Sequence, residues 1–160
     1  MQFPSSTTRS RLIVGFVAGA VGGAVAIALM ELLAERTTFP LLFVPFATSI
    51  VLVMGSPEAE PAQPRALVGG HLVSTAVGLL VLHIIGAGPW AAAAAVGLAI
   101  VAMHLTRTFH PPAGIDPLVV VVNGMTWSFL VAPVAVGVCL LVAFAWHNAV
   151  RRGSWPVRWW

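Results

Sequence analysis

The chain has 160 residues, 59% of them hydrophobic and 8% charged, with a net charge of +3 carried by eight arginines and no lysine. A soluble domain is about one quarter charged and needs a polar surface to stay in water, so a mean hydropathy of +0.96 excludes a water-soluble globule. The apolar runs are continuous rather than alternating apolar and polar, which excludes a transmembrane β-barrel and leaves an all-α, polytopic membrane helix bundle, a single domain over 1–160.

Arg9 and Arg11 precede the first apolar run, Leu12 to about Leu33. At about 20 residues per crossing this run spans a bilayer. It continues into "MELLAER" without a small-residue cleavage site and reads as a retained span, not a signal peptide. Gly15, Gly19 and Gly23 recur every four residues, a seam for close helix packing. The second run, Phe39–Gly55, is interrupted by Pro40 and Pro45, which lack the donor a helix needs. The polar "ATS" that follows predicts a fresh helix start near Thr48 or Ser49.

The loop Ser56–Arg65 carries three prolines and three charges. The third run, Ala66 to about Ile85, holds a second small-residue stripe: Gly70, Ser74 and Gly78. "GAGPW" is a tight turn into the fourth run, Ala91–Leu105. A short fifth run, Leu118–Val122, follows "HPPAGIDP" and ends at Asn123-Gly124, a turn signal. The last run begins at Met125 or Trp127, reaches about Val150, and leads to a tail with Arg151, Arg152, Arg158, Trp159 and Trp160. Cys139 lies in this run as a small buried side chain, and one cysteine forms no disulfide framework.

Arginines at both ends place both termini in the cytoplasm of a cell (inner or plasma) membrane, which requires an even number of crossings. Six crossings put Arg65 and Arg107 on the cytoplasmic side. The alternative, four spans plus two re-entrant segments, puts them outside, so six is preferred. The chain then divides into two three-helix halves of opposite orientation, an inverted repeat, with the proline-broken second and fifth segments about 67 residues apart. Interrupted segments at matching positions point to a transporter's binding site.

Broken helices inside a bilayer leave amide donors that need partners, and half-helix N-termini suit a small anion. Pro45, Phe46, Ala47, Thr48 and Ser49 form one such end; His110, Pro111, Pro112, Ala113, Gly114 and Asp116 form the other. Thr48 and Ser49 hydroxyls add donors. His110 either binds the anion, carries a coupled proton, or caps the preceding helix or holds a loop carbonyl. Asp116 pairs with Arg107 or His110, caps a helix, or relays protons. Arg107 is an oxyanion ligand or a snorkelling topogenic charge. His71, His83 and His104 lack metal-ligand spacing, no cofactor motif occurs, and no hydrolase or phosphate-loop motif is present. Arginine clusters at span ends serve topology, so no nucleic-acid partner is expected.

"TRTFHPPAG" (Thr106–Gly114) resembles the signature of the HPP family of integral membrane proteins, named for its His-Pro-Pro. "PFATSIVLVMGSPEAEPAQPR" (Pro45–Arg65) and "GGH" (Gly69–His71) agree with further family motifs in the same order. Ala47-Thr48 replaces the usual Gly-Ala, and Ile115-Asp116-Pro117 replaces the usual small residues. The family is commonly described as four-spanning. Some members are linked to nitrite transport, and some carry a cytoplasmic CBS-type module for which this chain has no room. The resemblance implies a membrane core handling nitrite or a similar small anion, with His71 as part of its motif set.

The expected function is therefore a small-anion transporter or channel, passive or proton-linked, with the bilayer and the anion as partners. The glycine seams suit a homo-oligomer. A scaffold or partner subunit without transport is the rival; a cavity at the broken segments favours transport, and a packed centre favours the scaffold. A membrane enzyme is the weaker third reading, and it requires His110, Asp116 and His71 to converge.

Overall fold

The computed structural model describes residues 6–36, 44–152 and 155–157, and every regular element among them is helical. The order is α1 (Ser6–Arg36), α2 (Val44–Gly55), a 3-10 turn (Glu60–Ala62), α3 (Pro64–Ile85), α4 (Pro89–Leu105), a second 3-10 helix (Pro111–Ile115), α5 (Asp116–Asn123), a π-helical turn (Leu130–Val134) and α6 (Ala135–Arg152). The expected break at Pro40 and the tail residues Arg158, Trp159 and Trp160 lie outside the described residues.

α2 does not restart at Thr48 or Ser49 as the sequence predicts; it begins at Val44 and runs through Pro45. Proline in the first turn removes a donor that has no intrahelical partner anyway. The Thr48 hydroxyl donates to the Val44 and Pro45 carbonyls of its own helix. Pro64 and Pro89 likewise open α3 and α4. Gly86 and Gly88 turn between them with φ of 94° and 150°, angles that glycine reaches without a Cβ penalty. Gly124 ends α5 in the left-handed region at φ 60°.

The helix ends gather at two opposite ends of the bundle. At one end Arg65 donates to the Thr106 carbonyl at 2.9 Å, joining the start of α3 to the end of α4. The Trp155 indole donates to the Ala62 carbonyl at 2.9 Å and the Val157 amide to Gln63 Oε1 at 2.9 Å, bringing the end of α6 there too. Val14 and Gly15 of α1 share a cavity with Gly55, Glu58, His147 and Asn148. At the other end, Val121 of α5 packs with Val81, Ala91 and Ala92.

α2 lies at the centre of the main core, where Phe46, Ile50, Val53 and Met54 meet Leu67 and Leu79 of α3, Val120 of α5 and Val138 and Leu141 of α6. α1 packs there through Ala26 and Met30, with Gly23 against Ile50 and Met54. The outer faces are apolar and exposed: Val14, Val17, Val51, Ile84 and Leu105 all point outward. That is the surface of a bundle solvated by lipid. Cys139 is exposed on α6 rather than buried, because its side of that helix faces away from the core.

α1 and α3 are long and apolar enough to cross a membrane. α2 and α5 have 12 and 8 residues; at 1.5 Å per residue they are about 18 and about 12 Å long, short of a ~30 Å hydrocarbon core.

Candidate functional site

The stripe Gly70, Ser74 and Gly78 seats the broken fifth segment on α3. A Cβ on Gly70 would stand 2.6 Å from the His110 Cβ, and one on Gly78 would stand 2.7 Å from the Pro117 Cα. Between them the Ser74 hydroxyl donates to the Ala113 carbonyl at 2.6 Å. This close seating carries His110 and Asp116 into the interior, one on either side of the Pro111–Ile115 turn. α2 approaches the same region, packing on that turn.

Four side chains from three parts of the chain meet there. Ser49 Oγ of α2 donates to the Pro45 carbonyl at 2.7 Å and also lies 2.9 Å from His71 Nε2 and 2.7 Å from His110 Nε2. His71 Nδ1 lies 2.8 Å from Asp116 Oδ2. That oxygen accepts a longer bond, 3.3 Å, from the Thr75 hydroxyl. His110 Nδ1 donates to the Pro61 carbonyl at 2.6 Å. Ser49, His71 and His110 are 0% exposed and Asp116 4%.

Apolar packing encloses the set. The Phe46 ring lies 4.8 Å from the His71 ring, centroid to centroid. Gly137 of α6 makes room for Phe46: a Cβ there would come within 2.9 Å of the ring. The cavity of about 1100 Å³ between α1, α2 and α6 is lined by other residues. A second, apolar one of about 430 Å³ lies between α3 and α4.

Pro45, Phe46, Ser49, His71, His110, Ala113 and Asp116 are thus brought together, with Ala47, Pro112 and Gly114 half-buried around them. Pro111 is exposed on the turn. Thr48 is exposed and satisfied by its own helix. Arg107 is exposed, with φ 56°, at the bundle end. Asp116 pairs with neither Arg107 nor His110 but with His71, because Ser49 takes the facing nitrogen of His110. The His110 side chain makes no helix-cap bond; it holds the Pro61 carbonyl instead, the other structural role expected for it. Thr75 and Gly137 were not anticipated, and Ser74 was expected only as a packing residue of its stripe; for Thr75 a signal existed, since it lies one turn from His71 on the same helix face. No group of three or more His, Cys, Asp or Glu side chains placed to hold a metal ion occurs among the described residues.

The family model for the HPP transmembrane region matches residues 8–156. The chain belongs to the HPP family. Two transmembrane proteins of Dictyostelium discoideum are similar to this HPP chain. One is 40% identical over 125 residues, covering 72% of this chain and 40% of that protein; the other is 34% identical over 125 residues, covering 72% and 44%. The chain therefore spans less than half the length of these curated relatives. No solved structure matches it. Family membership and both relatives make this HPP chain a membrane protein.

Proposed function

We propose that the chain carries a small anion such as nitrite across the membrane, through the place where the two broken segments meet. The observation that carries this reading is the Ser49–His71–Asp116–His110 cluster, which joins α2, α3 and the Pro111–Asp116 segment in the bundle interior. Ionisable groups inside a membrane are costly and mark ion or proton pathways. A scaffold has no need of them, since apolar residues of similar volume are as stable or more so. The centre is packed, with no cavity on these four side chains, which on the sequence criterion favours the scaffold; a carrier in its closed form has the same packed centre, and an open channel does not. When the halves part, the Ser49 hydroxyl and whichever facing nitrogen of His71 or His110 carries a hydrogen become the donors that receive the anion.

Contacts between helices support the inverted repeat. Exchanging the halves maps α1 on α2 onto α4 on α5, α2 on α6 onto α5 on α3, and α1 on α6 onto α4 on α3, and all these pairs pack. We read the short α2 and α5 as the second and fifth of six passes between the two bundle ends. Both termini then share the cytoplasmic side with Arg65 and Arg107, as a positive-inside bias requires.

Nitrite uptake into proteoliposomes tests the reading. Uptake is expected to require the protein and to fall about tenfold or more in Ser49→Ala and in His110→Ala, each losing a hydrogen bond worth ~1.5–3 kcal/mol when charge-assisted. Thr48→Val, on the exposed face of α2, is expected to transport as the parent does. Equal uptake with and without protein sinks the reading. The packed centre would then favour a non-transporting scaffold.

A further inference from the structure

The hydrogen-bond geometry of the buried cluster limits where its hydrogens can sit. The Pro61 carbonyl only accepts, so His110 Nδ1 carries a hydrogen. The Asp116 carboxylate, if ionised, only accepts, so His71 Nδ1 carries one too. With both histidines neutral, both Nε2 atoms are bare acceptors facing Ser49 Oγ at 2.9 and 2.7 Å. A hydroxyl has a single hydrogen. Turned away from the Pro45 carbonyl, which also accepts from the Thr48 hydroxyl, that hydrogen serves one nitrogen and leaves an oxygen lone pair against a nitrogen lone pair at the other, a buried clash.

One added proton removes the clash. On the His71 side, His71 Nε2–H donates to Ser49 Oγ and the Ser49 hydroxyl donates to His110 Nε2. The negative charge of Asp116 faces the charge on His71; equivalently, the carboxyl holds the proton and His71 is the neutral Nε2–H form. On the His110 side, the Ser49 hydroxyl donates to His71 Nε2 and His110 Nε2–H donates to Ser49 Oγ. The two arrangements contain the same atoms and charge. They interconvert when His71 Nε2 passes its hydrogen to Ser49 Oγ as Oγ passes its own to His110 Nε2.

We propose that Ser49, His71, Asp116 and His110 form a proton-binding relay that takes up one proton and moves it between the Asp116–His71 pair and His110. The relay runs from α5 to the loop carbonyl of Pro61, at the bundle end where Arg65 meets Thr106. Other ionisable groups of the packed elements lie at that end or outside. Arg65 donates to Thr106, His104 stacks on Phe109 at 4.2 Å, and Glu58, Glu60 and Arg107 are exposed. The relay rests on the proposed anion pathway only for its role: the anion moves with the proton, one for one.

Nitrogen NMR of histidine-labelled protein in bilayers tests the proton count without any transport. The expected result is a hydrogen on Nε2 of His71 or His110 at neutral pH, with Nδ1–H on His110 throughout. Asp116→Asn is expected to hold His71 in the neutral Nε2–H form, since its amide donates to Nδ1. Finding both histidines as neutral Nδ1–H forms with bare Nε2 atoms overturns the relay, whether or not nitrite moves. A pH-sensitive dye inside nitrite-loaded vesicles adds the coupling. One proton per nitrite, lost in Ser49→Ala, supports the relay. Nitrite flux with no pH change overturns the coupling and leaves the anion pathway standing. A loaded relay without nitrite flux supports the proton site and refutes nitrite as the substrate.

Discussion

Gly70→Ala is expected to dislodge the His110 segment from α3, lowering thermal stability in detergent and abolishing nitrite uptake. The added methyl would stand 2.6 Å from the His110 Cβ and 2.9 Å from the Thr108 carbonyl oxygen. Neither neighbour is the free end of a flexible side chain, so backbone must move. Overpacking of this kind costs about 1–3 kcal/mol, more than the ~1 kcal/mol that alanine gains over glycine in a helix. Gly97→Ala on α4 supplies the contrast. Nothing lies within 4 Å of its added Cβ, so the propensity gain stands alone and stability is expected to rise by about 0.5–1 kcal/mol. If Gly70→Ala behaves like Gly97→Ala, the fifth segment is not held against α3 at this point.

Much of this seat was legible in the sequence because it follows local rules. Residues four apart share a helix face, so the spacing of Gly70, Ser74 and Gly78 is enough to announce a stripe. The His-Pro-Pro break and Asn123-Gly124 likewise mark the ends of the fifth segment. What escaped depends on helix phase and on partners distant in sequence. Thr48 and Ser49 looked equivalent, yet adjacent helical residues point about 100° apart, so only one can face α3. With α2 starting at Val44, that residue is Ser49. The His71–Asp116 pair joins residues 45 positions apart, and no pattern along the chain relates them. Arg107, one of the two partners expected for Asp116, is near in sequence, but the Pro111–Ile115 turn separates it from Asp116.

His71→Leu is expected to be far more damaging than His71→Leu combined with Asp116→Val. The single substitution leaves Asp116 buried with one long hydrogen bond, 3.3 Å from Thr75. Breaking a buried pair by removing one partner costs about 3–5 kcal/mol. In the double variant no carboxyl remains, and the rest of the network closes on itself. The Ser49 hydroxyl donates to His110 Nε2, His110 Nδ1–H donates to the Pro61 carbonyl, and the Pro45 carbonyl keeps the Thr48 hydroxyl. Unfolding of the four proteins of this cycle in detergent should therefore show strong coupling, with most of the loss in His71→Leu recovered in the double variant. Additive effects would mean that the two side chains do not share a proton or a bond. Nitrite uptake is expected to stay lost in the double variant even where stability returns. A pair that can be replaced by apolar side chains without loss of fold, but not without loss of flux, is there for what it carries rather than for what it holds together.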